Sequence, residues 1–151
     1  MEPTRITLHC SATPNGVDVP AKTIKEWHLR RGFNDIGYHL VIQPSGQSET
    51  GRSLDRIGAH VKGENHNNIG IVMVGLDKFT RVQWQALRDH LYTFFLHYDI
   101  PRWALHCHRE FQSAIDQNKT CPNVEPSRIW AWYFLGEDDA IAPHVYEIGL
   151  R

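Results

Sequence analysis

Three residues in this chain have the types that hold a borderline-soft metal ion: His9, His108 and Cys121. His9 closes an apolar run, Ile6-Thr7-Leu8-His9, and His108 follows another, Trp103-Ala104-Leu105-His106-Cys107. Cys121 lies in a turn signature, Lys119-Thr120-Cys121-Pro122. Two imidazoles and one thiolate make three protein ligands for zinc and leave a fourth position for water, the layout of a catalytic site. Such an ion brings the pKa of a bound water to about 7 and polarises a carbonyl, which points to hydrolysis of an unactivated bond. The chain has 10 histidines, so composition alone selects none of them. His106 competes with His108, because the two share a face if their strand continues.

The elements that must gather these residues can be read from pattern. Arg5 to His9 reads as a strand, and Asn15-Gly16 as a turn. Thr23 to Glu26 has the spacing of a capping box opening a helix that runs to about Arg31, with Gly32 as its stop. Tyr38 to Gln43 reads as a strand, Pro44-Ser45-Gly46 as a turn, and Gln47 to Gly51 as the returning hairpin partner. Ser53 to Gly58 reads as a short helical turn. Ile69 to Val74 is continuously apolar, as expected of a central strand covered on both faces. Thr80 and Gln83 form a second capping box. The helix after it carries Trp84, Leu87, Leu91, Phe94 or Phe95, and Tyr98 on one face, which makes them core. Pro101 stops that helix, Trp103 to His106 is the last strand, and Ser127 can cap a final helix. Strands alternating with helices predict an α/β fold: a mixed central β-sheet flanked by about three helices. The stretch 136–151 either packs as an extra turn or extends as a free end.

Length and charge set the class. A chain of 151 residues fits a single domain, 1–151, and a net charge of -1 from 16 basic and 17 acidic residues carries no nucleic-acid footprint. No apolar run reaches transmembrane length, and Met1 to Arg5 lacks the pattern of a signal peptide. Three cysteines are an odd number, which argues against a disulfide framework and for synthesis in a reducing cytoplasm. Cys10 and Cys107 read as packing residues.

Four segments carry a resemblance. His9 to Thr13 resembles the opening strand of the type 2 N-acetylmuramoyl-L-alanine amidases, and Asp35-Ile36-Gly37-Tyr38-His39-Leu40-Val41-Ile42 their second strand. Ala59 to Ile71 resembles the loop leading into their central strand. His108-Arg109-Glu110 with Lys119-Thr120-Cys121-Pro122 resembles their C-terminal ligand pair. The segments keep the family's order over about 9–132, and the short phage lysozymes that are amidases look nearest. Animal peptidoglycan-recognition proteins share the implied fold. The resemblance implies Zn2+ on His9, His108 and Cys121, and cleavage of the amide between the lactyl group of N-acetylmuramic acid and L-alanine. Tyr38 matches the family's tyrosine in the phage branch, where the recycling branch has Glu, and it would orient water or substrate or assist proton transfer. Lys119 sits two residues before Cys121 and would stabilise the oxyanion, although a solvated turn lysine is the commoner role. His60 and Asn67 fall in the loop at the cleft edge; the resemblance implies that both bind substrate, with support of the site as the other role open to His60. Glu110 is expected either to orient a ligand imidazole or to play a structural part. His39 is expected to face away from the site.

One departure stands out. Thirteen positions separate His108 from Cys121, more than the family's usual spacing, so a loop is expected within Phe111 to Asn118. Peptidoglycan is the implied partner, and a monomer is the default state. The implied route is synthesis in the host cytoplasm, with action on the cell wall after release to the periplasm. Two other classes share the resemblance. One is a module that binds peptidoglycan without cutting it, which usually lacks the Cys ligand present here. The other is a phage amidase that also binds and inhibits its phage RNA polymerase.

Overall fold

The computed structural model describes residues 1–146. A five-stranded sheet in the order β3-β2-β4-β1-β6 forms its centre. The strands are β1 (Arg5–Cys10), β2 (Leu40–Ile42), β3 (Ser48–Thr50), β4 (Asn68–Met73) and β6 (Leu105–Cys107). β1, β2, β4 and β6 run parallel, and β3 returns antiparallel to β2. β4 is buried throughout, as its unbroken apolar run predicts.

Side-chain alternation divides the sheet into two faces. Ile6, Leu8 and Cys10 of β1, with Ile69, Ile71 and Met73 of β4, join one apolar cluster. Trp84, Leu87, Leu91 and Phe94 of α2 (Arg81–Tyr98) and Ile129 and Trp132 of α4 (Pro126–Leu135) cover it. The other face carries a smaller cluster, in which Val41, Val72 and Val74 meet Ile24 of α1 (Ala21–Arg30). His9 takes the second parity, out of the larger core.

The helix starts test the capping expectations. The Thr80 box is present in full: Thr80 Oγ1 accepts from Gln83 N, and Gln83 Oε1 accepts from Thr80 N. The two other starts are corrected. α1 begins at Ala21, so Thr23 lies inside it and Pro20 is the N-cap, its ring holding φ at -56°. α4 begins at Pro126 with Glu125 as N-cap, so Ser127 sits in its first turn. Tyr38 and His39 precede β2 rather than belonging to it, and 53–58 forms a turn without a helix. A 3₁₀ turn, Arg102–Ala104, occupies the start of the expected last strand.

The expected loop between His108 and Cys121 is folded. His108–Glu110 makes a 3₁₀ turn, and Gln112–Asp116 makes α3, which adds a fourth, short helix to the three expected. In the tail, Asp138–His144 is a 3₁₀ helix, and β7 (Val145–Tyr146) pairs with β5 (Phe79–Thr80). The rest of the tail, 147–151, lies outside the described residues. Among the described residues no helix is long and apolar enough to cross a membrane.

Candidate metal centre

Register brings the two histidines together. β1 and β6 are parallel neighbours with Leu8 opposite Cys107, so His9 and the residue just past β6, His108, end level. Their rings lie 4.6 Å apart between centroids. Cys121 arrives from the turn after α3, and Arg109 N–H donates to its carbonyl at 3.0 Å. The Cys121 Sγ accepts from Cys10 N–H at 2.8 Å. One ligand atom from each of His9, His108 and Cys121 lies within 4.8 Å of the other two.

That donor set fits a tetrahedral ion. Bonds of about 2.0 Å to nitrogen and 2.3 Å to sulfur put ligand atoms about 3.5 Å apart, a contraction of no more than about 1.3 Å from the 4.8 Å bound. Charge fits as well. Burial first, then the neighbouring His60, His108 and Lys119, hold His9 well below its usual pKa. Burial and then Lys119 bring His108 down to about 4. Both imidazoles are therefore neutral at pH 7, as ligation requires. The hydrogen bond with the Cys10 thiol and burial push the Cys121 thiol well up, so a cation must supply the charge that favours thiolate. All three cysteines are free, and Cys10 and Cys107 are buried packing residues, as expected.

A cleft of about 460 Å³ opens over this cluster, lined by Tyr38, His60, His108 and Lys119 among others. The Tyr38 ring lies 5.0 Å from His9, and burial raises its hydroxyl above the ordinary phenol range. Its position is fixed from three sides. Its carbonyl accepts from Arg52 N–H at 2.8 Å. The buried Arg52 guanidinium donates to the carbonyls of Ile36 and Ile57. His28 Nδ1 accepts from Gly37 N–H at 2.8 Å. Gly37 has to be glycine here, since a Cβ would come within 2.1 Å of the Ala59 carbonyl oxygen.

Several expectations need correcting. His60 borders the cleft, but both its ring nitrogens are engaged: Nδ1 is 2.9 Å from His9 Nε2, and Nε2 donates to Asn68 C=O at 2.9 Å. No ring nitrogen remains for a substrate. Asn67 is not among the cleft residues; it turns the chain at φ 53° and its carbonyl accepts from Thr4 N–H and Arg5 N–H. Asn65 is the loop asparagine that borders the cleft, its Oδ1 accepting from His60 N–H and Val61 N–H. Of the two roles open to Glu110, the structural one is seen: it accepts from Cys107 N–H and lies 3.9 Å from His106 rather than orienting His108. That pairing draws His106 into a separate groove with Trp103 and Trp130, away from the cluster. His39 stays out of the cleft as expected, bonded to Gly70 N–H and Arg56 C=O, although no strand alternation puts it there. Arg31, Phe33, Lys62 and Gln117 line the cleft, and the sequence offered no signal for them beyond their type.

A family profile described as N-acetylmuramoyl-L-alanine amidase matches residues 1–124. The chain belongs to that family. Within it, the amidase resembles phage endolysins: it is 37% identical over 133 residues to the endolysin of Escherichia phage T7, covering 83% of each chain. Among solved structures, the N-acetylmuramoyl-L-alanine amidase LysC from Clostridium intestinale superposes with a TM-score of 0.75 at 25% identity, covering 89% of this chain and 86% of LysC. Drosophila PGRP-LB shares the fold, with a TM-score of 0.73 at 24% identity over 100% of this chain and 88% of its own. The protein is thus a peptidoglycan-hydrolysing amidase of the phage endolysin kind.

Proposed function

We propose that this amidase is zinc-dependent, with His9, His108 and Cys121 as the protein ligands. The observation that carries the reading is the convergence of those three ligand atoms within 4.8 Å beside an open cleft. When bound, the ion supplies Lewis acidity, polarising the scissile carbonyl and acidifying a water. The chain supplies the rest. Lys119, on the cleft wall, donates to the oxygen that gains charge as the carbonyl is attacked. The Tyr38 hydroxyl, kept protonated by burial, orients water or the amide by donating a hydrogen bond. Neutral His9 and His108 hold the ligand positions without competing for protons at pH 7.

The bond cut joins the lactyl group of N-acetylmuramic acid to L-alanine. The cleft walls carry Arg31, Lys62 and Lys119, and no Asp or Glu is among the lining residues described, although the chain as a whole has a net charge of -1. That local excess suits a stem peptide with free carboxylates. We assign residues 1–151 to one catalytic domain acting as a monomer on the wall after release to the periplasm. Digestion of purified murein tests the reaction: the expected products are peptides with a free L-alanine amino terminus and intact glycan strands. New reducing sugar ends, or no new amino termini, would contradict it.

A further inference from the structure

His60 has no catalytic atom to offer, yet it is 9% exposed and sits directly behind a candidate ligand. The hydrogen bonds fix its proton. A carbonyl only accepts, so the 2.9 Å contact with Asn68 C=O requires a proton on His60 Nε2. A neutral imidazole carries one N–H, and with that proton on Nε2 the Nδ1 of buried His60 is a bare acceptor. The 2.9 Å contact from that atom to His9 Nε2 therefore needs a proton on His9 Nε2. Neutral His9 then has one unprotonated nitrogen, Nδ1.

We propose that His60 is a positioning residue that locks His9 in the tautomer and ring orientation presenting Nδ1 to the metal. The chain of groups runs from Asn68 C=O through His60 to His9, anchored on the backbone of β4. The His9 and His60 rings meet edge-on, at 81° and 5.0 Å, which suits an in-plane bond between ring nitrogens. A second observation shows that the fold keeps a slot for this ring. A Cβ at Gly70 would lie 2.6 Å from His60 Cγ, and one at Gly58 would lie 2.8 Å from His60 Cδ2. Two glycines from different segments thus leave His60 the space to reach His9. The loop is pinned from its other side by Asn65 Oδ1, which accepts from His60 N–H at 2.8 Å. Groups of this kind behind a metal-binding imidazole raise its basicity and hold its ring, and losing one typically costs 10–100-fold in metal affinity.

This inference rests on the zinc reading, and the experiment separates the two. Zinc affinity is measured by competition with a chromophoric chelator on wild type, His60→Ala and His60→Gln. A glutamine amide can accept from His9 with its oxygen and donate to Asn68 with its nitrogen. His60→Ala should weaken zinc binding by about 10–100-fold, and His60→Gln should stay within about threefold of wild type. Wild-type affinity in His60→Ala, or a glutamine variant as weak as alanine, would overturn the proposal. Should the alanine variant not fold, nitrogen NMR of the imidazoles in unmutated, metal-free protein decides instead. His9 and His60 must both carry their proton on Nε2, and a proton on His9 Nδ1 would overturn it. Wild-type protein that binds no zinc would defeat the zinc reading itself and leave the tautomers to that spectrum.

Discussion

At the scale of single residues, the proposed zinc site separates groups that would hold the metal from groups that would act on substrate. Lys119 reaches the cleft from the turn that carries Cys121, and its charge is felt by both His9 and His108. Lys119→Ala should lower kcat by about 10²–10³-fold while zinc content stays at the wild-type level, as for removal of an oxyanion donor. Steady-state kinetics beside metal analysis checks this. Equal kcat, or loss of zinc, would assign Lys119 another role. The candidate ligands could be singled out in sequence because two of the four family segments contain them. For His60 the sequence left substrate binding and support of the site both open, because its partners are a backbone carbonyl and a ring on another strand. The separation of Asn65 from Asn67 was not legible, since it depends on a left-handed φ of 53° at Asn67.

At the scale of elements, the parallel pairing of β1 and β6 does most to build the site, since it ends His9 and His108 at one level. α2 fastens the same C-terminal end of the parallel strands, at β2 and β4, through Gln83, which is fully buried and donates to Ile42 C=O and Val74 C=O. Gln83→Leu removes both donations and half of the Thr80 box, so it should cost about 1–3 kcal/mol. Urea unfolding would show a lower midpoint with an unchanged slope, and an unchanged midpoint would contradict the account. The Thr80 box was legible because both its members have side chains that cap. Thr23 and Ser127 misled because a proline nearby fixes the backbone and takes over the helix start. α3 was invisible because five residues are too few to show a helical period. The β5–β7 ladder, two residues long on each side, leaves no alternation to read.

At the scale of the whole molecule, the fold buries histidines in their neutral form. Burial first, then Arg31, brings His28 down to about 4, and burial lowers His39 as well. An unfolded histidine titrates near 6.5. Between pH about 6.5 and about 4, the unfolded chain binds protons that the folded chain refuses, so stability falls as pH falls. Above about 6.5 these groups contribute their full stability. The melting temperature of metal-free protein should thus be level above neutrality and drop through this window. A level profile down to pH about 4.5 would contradict the neutral burial of these rings. The mixed sheet with helices on both faces was legible from strand–helix alternation, whereas the charge of the cleft required the fold, because Arg31, Lys62 and Lys119 come from three separate segments. The central claim is that one zinc ion, held by His9, His108 and Cys121, makes this chain an amidase. The most direct test measures bound zinc and release of L-alanine amino termini from murein for wild type and Cys121→Ala. One equivalent of zinc with active cleavage in wild type, and loss of both in a folded Cys121→Ala variant, is the predicted result. Cleavage that persists in the variant, or in wild-type protein stripped of zinc, would contradict it.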